Sequence, residues 1–228
     1  LTAAGVDLRT GVGVRSLRPT AGGGADAGFT DGTTGSFDAV VLAAGVTGSA
    51  ELLADAAPAA AAALGRVPLA SSTVVTLAYP ADAFAAPVTT HGWLEAEPAP
   101  ISGVTVSSAK WAGRAPSDVV LIRAFVPGRL GAIAAAPDAE LVPAVTGHIR
   151  RVLGARRPHS SVRVARWPGM MPKYTVGHLS RVAEVEAGLA HLPSWRVAGS
   201  PLRGVGVPDC VADGRRQAAL ALGPTPGS

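Results

Sequence analysis

Near the end of the chain, two glycines one residue apart stand just before a proline. The stretch Gly204-Val-Gly206-Val-Pro208-Asp-Cys210 follows a short apolar run, Trp195-Arg-Val-Ala-Gly199. That order reads as strand, loop and helix, with the helix running to about Leu222. Glycines at such a loop let backbone approach a flat ligand, and Pro208 suits a first helical turn. The start of a helix carries unpaired amides and about half a positive charge. An end of this kind can face developing negative charge, as on the N1/O2 edge of a reduced flavin. Taken alone, the segment reads more simply as an ordinary strand-to-helix turn.

Other chemistries find less support. Gly22-Gly-Gly24-Ala-Asp-Ala27 has the form of a dinucleotide phosphate loop, but a strand-like segment and the turn pair Asp31-Gly32 follow it, not a helix. A hairpin is the expectation there, because the phosphate loop works only at a helix N-terminus. His91, His148, His159, His178 and His191 show no metal-ligand spacing, and no Gly-x-Ser-x-Gly elbow exists. Cys210 is the only cysteine, which excludes a disulfide framework or a cysteine zinc site and favours an intracellular protein. No acid or base stands out as catalytic.

The elements that position these residues fall into three textures. Up to about residue 66, Val12–Leu17, the segment at Phe29 and the buried run Phe37–Gly45 read as three strands of a meander. An alanine-rich helical stretch, Ser49–Leu64, follows and is split or restarted by Pro58. From 67 to 167, Ser71–Tyr79, Gly92-Trp-Leu94, Gly103–Trp111 and Asp118–Val126 read as strands. Leu141, Val145, Ile149, Val152 and Leu153 recur at helical spacing despite Pro143, and Ser161–Trp167 closes the block as a strand. These strands and one helix suggest an antiparallel sheet with a helical cover. From 168 onward, Leu179, Val182, Val185, Leu189 and Leu192 mark one face of a helix.

Composition narrows the class. With 48% hydrophobic and 16% charged residues, the 228-residue chain can bury a core and is not a disordered tail. The net charge of +4 is spread over the length; the densest cluster, Arg150, Arg151, Arg156 and Arg157, lacks interleaved aromatics, so nucleic-acid binding is not expected. No apolar run approaches the roughly 20 residues of a membrane span. The opening Leu1-Thr-Ala-Ala-Gly5 has no signal-peptide character and reads as a chain entered in the middle.

Several stretches together carry a resemblance. Arg166-Trp-Pro-Gly-Met-Met-Pro-Lys-Tyr-Thr-Val-Gly-His178, Leu189–Pro193, Ala198-Gly199 and Gly204-Val-Gly-Val-Pro-Asp-Cys210 resemble the C-terminal signature of the protoporphyrinogen/coproporphyrinogen oxidase family, within the flavin-containing amine-oxidase superfamily. Gly92-Trp-Leu94, Ser107–Trp111 and Leu121–Val126 look like that family's substrate-domain segments. Gly5-Val-Asp-Leu8 with Val14, and Phe37–Ala43, look like its flavin-domain meander. The resemblance implies an α/β fold: a partial FAD-binding domain in residues 1–66 and 168–228, around an inserted α+β substrate domain in 67–167.

It also implies site residues. Val14 would hold the FAD adenine through its backbone, and Trp167 would lie against the flavin region. Ser200, Val205, Gly206 and Val207 would contact FAD at the terminal helix. Lys110, Arg114 and Arg123 are candidates to pair with substrate propionates, although solvated side chains are the commoner fate of such residues. The implied activity is FAD-dependent dehydrogenation of a porphyrinogen, coproporphyrinogen III or protoporphyrinogen IX, to the porphyrin with oxygen as acceptor, in heme biosynthesis. The family's first dinucleotide motif would precede this chain. The expectation is therefore a C-terminal fragment, inactive alone and partnered by the N-terminal half of the same enzyme. It would be cytoplasmic, with peripheral membrane association left open. The alternatives are another flavin amine oxidase or desaturase, or a non-enzymatic remnant.

Overall fold

A computed structural model describes residues 2–96 and 98–223. They form two compact units, one from the described residues up to Leu69 together with those from Pro172 onward, the other from Ala70 to Met171.

The first unit begins with an antiparallel meander of β1 (Val14–Pro19), β2 (Ala25–Phe29) and β3 (Thr34–Phe37), paired Leu17 to Ala27 and Ala27 to Gly35. The glycine triplet is the turn between β1 and β2. The Gly23 N–H donates to Thr20 O at 3.0 Å and the Thr20 N–H to Gly24 O at 3.1 Å. With strands on both sides it has no helix amides to offer a phosphate. The run Phe37–Gly45 is not the single buried strand its composition suggests. Phe37 ends β3, exposed and edge-on to Phe29 across the meander, with ring centroids 6.3 Å apart. The chain then enters a separate strand, β4 (Val40–Leu42). Helices α1 (Gly45–Leu53) and α2 (Pro58–Gly65) follow. Pro58 opens α2 at a position whose N–H would lack a partner in any case.

The second unit holds β5 (Leu69–Pro80), β6 (Gly92–Leu94), β7 (Gly103–Val106), the single turn α3 (Ser107–Lys110), β8 (Val119–Pro127), the single turn α4 (Ala132–Ala135), α5 (Asp138–Leu153) and β9 (Ser161–Pro172). Its sheet has five strands in the order β6-β7-β8-β5-β9, one for each segment that reads as a strand in the sequence. Alternation along β8 sends Val120, Ile122, Ala124 and Val126 into the core, while Leu121, Arg123 and Phe125 face the other side. Leu141, Val145 and Ile149 of α5, one turn apart, complete that core. Asp138 and Glu140 in the first turn of α5 and Arg150 and Arg151 in the last complement its dipole.

His148 of α5 is buried. It donates from Nε2 to Glu95 Oε1 at 2.6 Å and accepts from Arg151 at Nδ1, 2.7 Å away. Burial alone would raise the Glu95 carboxyl. Hydrogen bonds from Trp93 and His148, with the charge of Arg151, instead hold it below its usual range.

The chain re-enters the first unit through α6 (His178–Gly188), β10 (Trp195–Val197) and α7 (Val207–Leu222). β10 runs parallel to β4, Trp195 opposite Val40 and Val197 opposite Leu42, and the Ala198 N–H extends the ladder to Leu42 O at 2.9 Å. Val182, Val185, Leu189 and Leu192 are buried as their spacing requires, but Leu179 is 82% exposed. The buried stripe of α6 starts instead at His178, one turn before Val182. No helix among the described residues is long and apolar enough to cross a membrane.

Helices α2 and α6 meet at Gly188, which carries no side chain because none fits. A Cβ there would stand 2.6 Å from Ala60 N and 2.9 Å from Ala60 Cα, both backbone atoms that cannot swing aside. Gly188→Val should therefore force the two helices apart and cost about 2–3 kcal/mol. Chemical denaturation measures this; a loss under about 0.5 kcal/mol, typical of a surface change, would contradict so close an approach.

Candidate functional site

The segment from Gly199 to Gly206 joins β10 to α7, and three side chains hold it from behind. Tyr174 donates its hydroxyl to Ser200 O at 2.7 Å and accepts the Gly204 N–H at 2.7 Å. Its ring stacks on His178, with centroids 3.9 Å apart and planes 16° from parallel. His178 is buried and donates from Nε2 to Leu202 O at 2.9 Å, while its Nδ1 has no partner among the described residues.

Asp213, buried on α7, is the third anchor. Its Oδ2 accepts the Gly199 N–H at 3.0 Å. Its Oδ1 accepts from Arg216 at 2.6 Å, Gln217 at 3.2 Å and Arg203 at 3.4 Å. Arg203 also pairs with Glu186. Burial would raise the Asp213 carboxyl, but the bonds from Arg216, Gln217 and Gly199 and the charge of Arg203 hold it low. Four donors converging on one carboxylate fix the end of the strand to the second turn of the helix.

The front of the loop is open. Val205 and Val207 are 52% and 77% exposed, and Val211, one turn further along, also faces outward. Gly206 caps α7, and the amides of Val207 and Asp209 have no acceptor within the helix. Gly204 sits at φ +135, a conformation only glycine adopts easily. Cys210 closes the loop with a weak thiol contact to Gly204 O at 3.6 Å.

Asp209 complicates the electrostatics expected from the sequence. Its Oδ2 stands 2.8 Å from where a Cβ of either Gly204 or Gly206 would lie. The two glycines thus make room for this carboxylate as well as for any ligand, and the positive helix end is shared with it. The arrangement suits a flat, largely neutral ring laid on backbone and the two valines. It suits a free anion less well. A flavin edge meets that description.

Of the residues expected at the cofactor, Ser200, Val205, Gly206 and Val207 come together in this one loop. Val14 is in the same unit, on edge strand β1 opposite Phe29, and is partly exposed. Trp167 belongs to the other unit, where it is half exposed on β9. Lys110 and Arg114 both lie over the Trp111 ring, at 4.8 and 5.5 Å, and Arg123 lies over Phe125 at 5.5 Å. Among the described residues, no group of histidine, cysteine or carboxylate side chains could hold a metal ion.

Asp213 and the Tyr174–His178 pair were not singled out individually from the sequence. Both lie in or beside the segments that carry the family resemblance. Their structural role ties those segments together: Pro172–His178 clamps the loop Gly199–Gly204.

Comparison with known proteins identifies the family. A coproporphyrinogen III oxidase of Propionibacterium freudenreichii subsp. freudenreichii is 51% identical over 191 residues, which is 83% of this chain and 36% of that protein. One from Mycobacterium bovis is 39% identical over 177 residues, 76% of this chain and 38% of its own length. The chain therefore spans well under half the length of the curated relatives it matches. Among solved structures, an Exiguobacterium sp. 255-15 protein provisionally assigned as a protoporphyrinogen oxidase superposes with a TM-score of 0.74 at 26% identity, covering 91% of this chain and 45% of that one. A putrescine oxidase variant, at 16% identity and a TM-score of 0.66, covers 95% of this chain and 49% of its own and shares the fold. The family model described as flavin containing amine oxidoreductase matches residues 2–222, and the chain belongs to that family.

Proposed function

We propose that this chain is part of an FAD-dependent oxidase that converts coproporphyrinogen III to the porphyrin in heme biosynthesis. The observation that carries the reading is the 51% identity to the Propionibacterium coproporphyrinogen III oxidase, spread over 83% of this chain. It favours coproporphyrinogen over the protoporphyrinogen that the sequence left as an equal choice. When bound, FAD supplies the two-electron acceptance that each dehydrogenation needs, and each oxygen reduced leaves as hydrogen peroxide.

The protein's own residues hold and orient. Val205, Gly206 and Val207 lay backbone and branched side chains against the flavin, and Ser200 stands at the same loop. Tyr174, His178 and Asp213 keep that loop from moving, so its position is set before the cofactor arrives. Val14 offers backbone from an edge strand to the adenine. Trp167 is exposed and has no other evident task. Arg123 is a cation on the side of the β8 sheet away from the α5 core, where a propionate can be met.

Two features support an incomplete cofactor domain within this chain. The chain covers 36% of the Propionibacterium relative. The parallel pair β4–β10 has three residues per strand, too little to stand as a sheet without neighbouring strands. The rest of the relative's sequence is the partner we assign to it. A substrate with four propionates stays in water. The cytoplasm is the location that follows, and peripheral membrane contact is needed only for a less charged substrate.

The test joins this chain to the part of the Propionibacterium relative that it does not match. The joined protein should be yellow and should turn coproporphyrinogen III into a fluorescent porphyrin with oxygen uptake. This chain alone should retain little FAD. Turnover of amines but not porphyrinogens by the joined protein, or tight FAD on this chain alone, would overturn the reading.

A further inference from the structure

The arginine cluster that the function leaves unused surrounds a cavity in the central unit. Residues 143–150 of α5, the segment after the helix and the end of β5 border an open cleft of about 350 Å³. Tyr79, Thr146, Arg150, Arg156, Arg157 and His159 supply its polar lining, Pro143, Ala155 and Pro158 much of the rest, and no carboxylate lines it. Tyr79 is only 2% exposed, held edge-on between Phe84 at 5.4 Å and His159 at 6.0 Å. Its hydroxyl has no hydrogen-bond partner among the described residues, and burial pushes its phenol above the usual tyrosine value. It is therefore a protonated donor at neutral pH, its ring buried and its hydroxyl at the wall of the cleft. A tyrosine hydroxyl lining a cleft can donate to water or to a ligand.

The plain account of these arginines is that they offset the negative end of α5. The charges do not balance on that account. A helix C-terminus contributes about half a negative charge, and Arg151, which is not part of the lining, already stands at that end bonded to His148. Arg157 pairs with Asp82. Arg150 and Arg156 have no carboxylate partner among the described residues, so the cavity keeps a surplus of positive charge. The backbone around it is fixed, since the Arg156 N–H donates to Ala83 O at 2.7 Å and the Ser160 N–H to Ala78 O at 2.8 Å.

We propose that this cavity binds a small molecule bearing a compact oxyanion, a phosphate ester or a carboxylate, through Tyr79, Arg150, Arg156 and Arg157. The oxyanion takes the phenol hydrogen and the guanidinium donors, which match its oxygens in number and geometry. Its organic body rests on Pro143 and Pro158. Flavin and porphyrinogen take no part in this site.

Calorimetric titration of the full chain with pyrophosphate, inorganic phosphate and citrate, at constant ionic strength, tests the proposal. At least one should bind with a dissociation constant below about 1 mM, against a sodium chloride control. Removing two charge-assisted contacts in the double variant Arg150→Gln/Arg156→Gln should weaken it by about tenfold or more. Tyr79→Phe removes one hydroxyl and should weaken it by about threefold while leaving the ligand-free melting temperature unchanged. Arg18→Gln, in the other unit, should change nothing. Preference for the phosphates identifies a phosphate ester as the ligand, and preference for citrate a carboxylate. Absence of binding by all three, or binding that survives in the double variant, overturns the proposal. Neither result depends on FAD or on turnover, so failure here leaves the oxidase reading intact.

Discussion

Trp195→Ala should cost the first unit about 4 kcal/mol, the upper range for removing a fully buried aromatic. Trp195 has no exposed surface and sits in one core with Leu17, Leu42, Leu64, Val182 and Leu202. Those residues come from the meander, β4, α2, α6 and the loop after β10, so one side chain fills the space between elements far apart in the chain. Its Nε1 also donates to Gly24 O at 3.2 Å, and Ser194 beside it donates to Gly23 O. The glycine turn that resembles a phosphate loop is thus held by the start of β10. Trp195→Phe keeps most of the volume and removes one of the two donors to the Gly24 carbonyl, which keeps the Thr20 N–H, and should cost about 1 kcal/mol. Hydrogen exchange during denaturation separates the units. Amides of β4 and β10 should lose protection in Trp195→Ala while those of β5 and β8 keep theirs. A Trp195→Ala loss no larger than that of Trp195→Phe would show that the ring is not the centre of this core.

Local signals were legible where one physical rule decided the outcome. Pro58 and Pro208 mark helix starts because a missing N–H costs nothing there. The alternation in Val119–Val126 gives a strand with one buried face, and Leu141, Val145 and Ile149 give the covering helix. Where two rules competed, the sequence was ambiguous. Phe37–Gly45 is uniformly apolar, and apolar run length cannot show that Phe37 serves the meander while Val40–Leu42 pairs with β10. That division is set by a partner more than 150 positions away. Leu179 illustrates the converse, since an apolar residue at nearly the right spacing lost its place to His178, whose ring is needed at Leu202 O.

The candidate site was legible as backbone and obscure as side chains. Gly204, Gly206 and Pro208 announce a loop and a helix start through their own conformational limits. Nothing local announces Asp213. Along α7 the apolar residues Val207, Val211 and Leu222 face outward, while Asp213, Gln217 and Ala221, each one turn from the next, face inward. A hydrophobic pattern therefore selects the wrong face of this helix. The one available signal was Asp213 and Gln217 at a spacing of four, polar residues stacked on a single stripe. The Asp209 carboxylate was visible in sequence, yet only coordinates show it occupying the space of both glycines. It weakens the expected role of this helix end in meeting negative charge and leaves the expected role of cradling a flat ring.

Asp213→Asn should destabilise the first unit by about 2–3 kcal/mol at neutral pH, below the full cost of breaking a buried ion pair because Arg216 is half exposed. An amide offers one acceptor oxygen to four converging donors and turns its own N–H groups toward at least one of them, so the Gly199 N–H or a guanidinium is left unpaired. The dependence on pH has a definite sign. The folded-state carboxyl of Asp213 is held below its ordinary value by Arg216, Gln217, Gly199 and Arg203, against the opposing effect of burial. The unfolded chain therefore takes up the proton first as pH falls. The stabilisation is complete above the unfolded value of about 3.9 and is lost as pH drops through the depressed folded value. The stability gap between the wild type and Asp213→Asn should be wide and constant from pH 5 to 7 and should narrow below about pH 4. Urea unfolding of both proteins across that range measures it, and a gap that persists unchanged to pH 3 would mean that the carboxylate charge is not what holds the loop. The same loosening of Gly199–Gly206 should lower FAD retention in the joined protein, because the backbone that meets the flavin would no longer be fixed in advance.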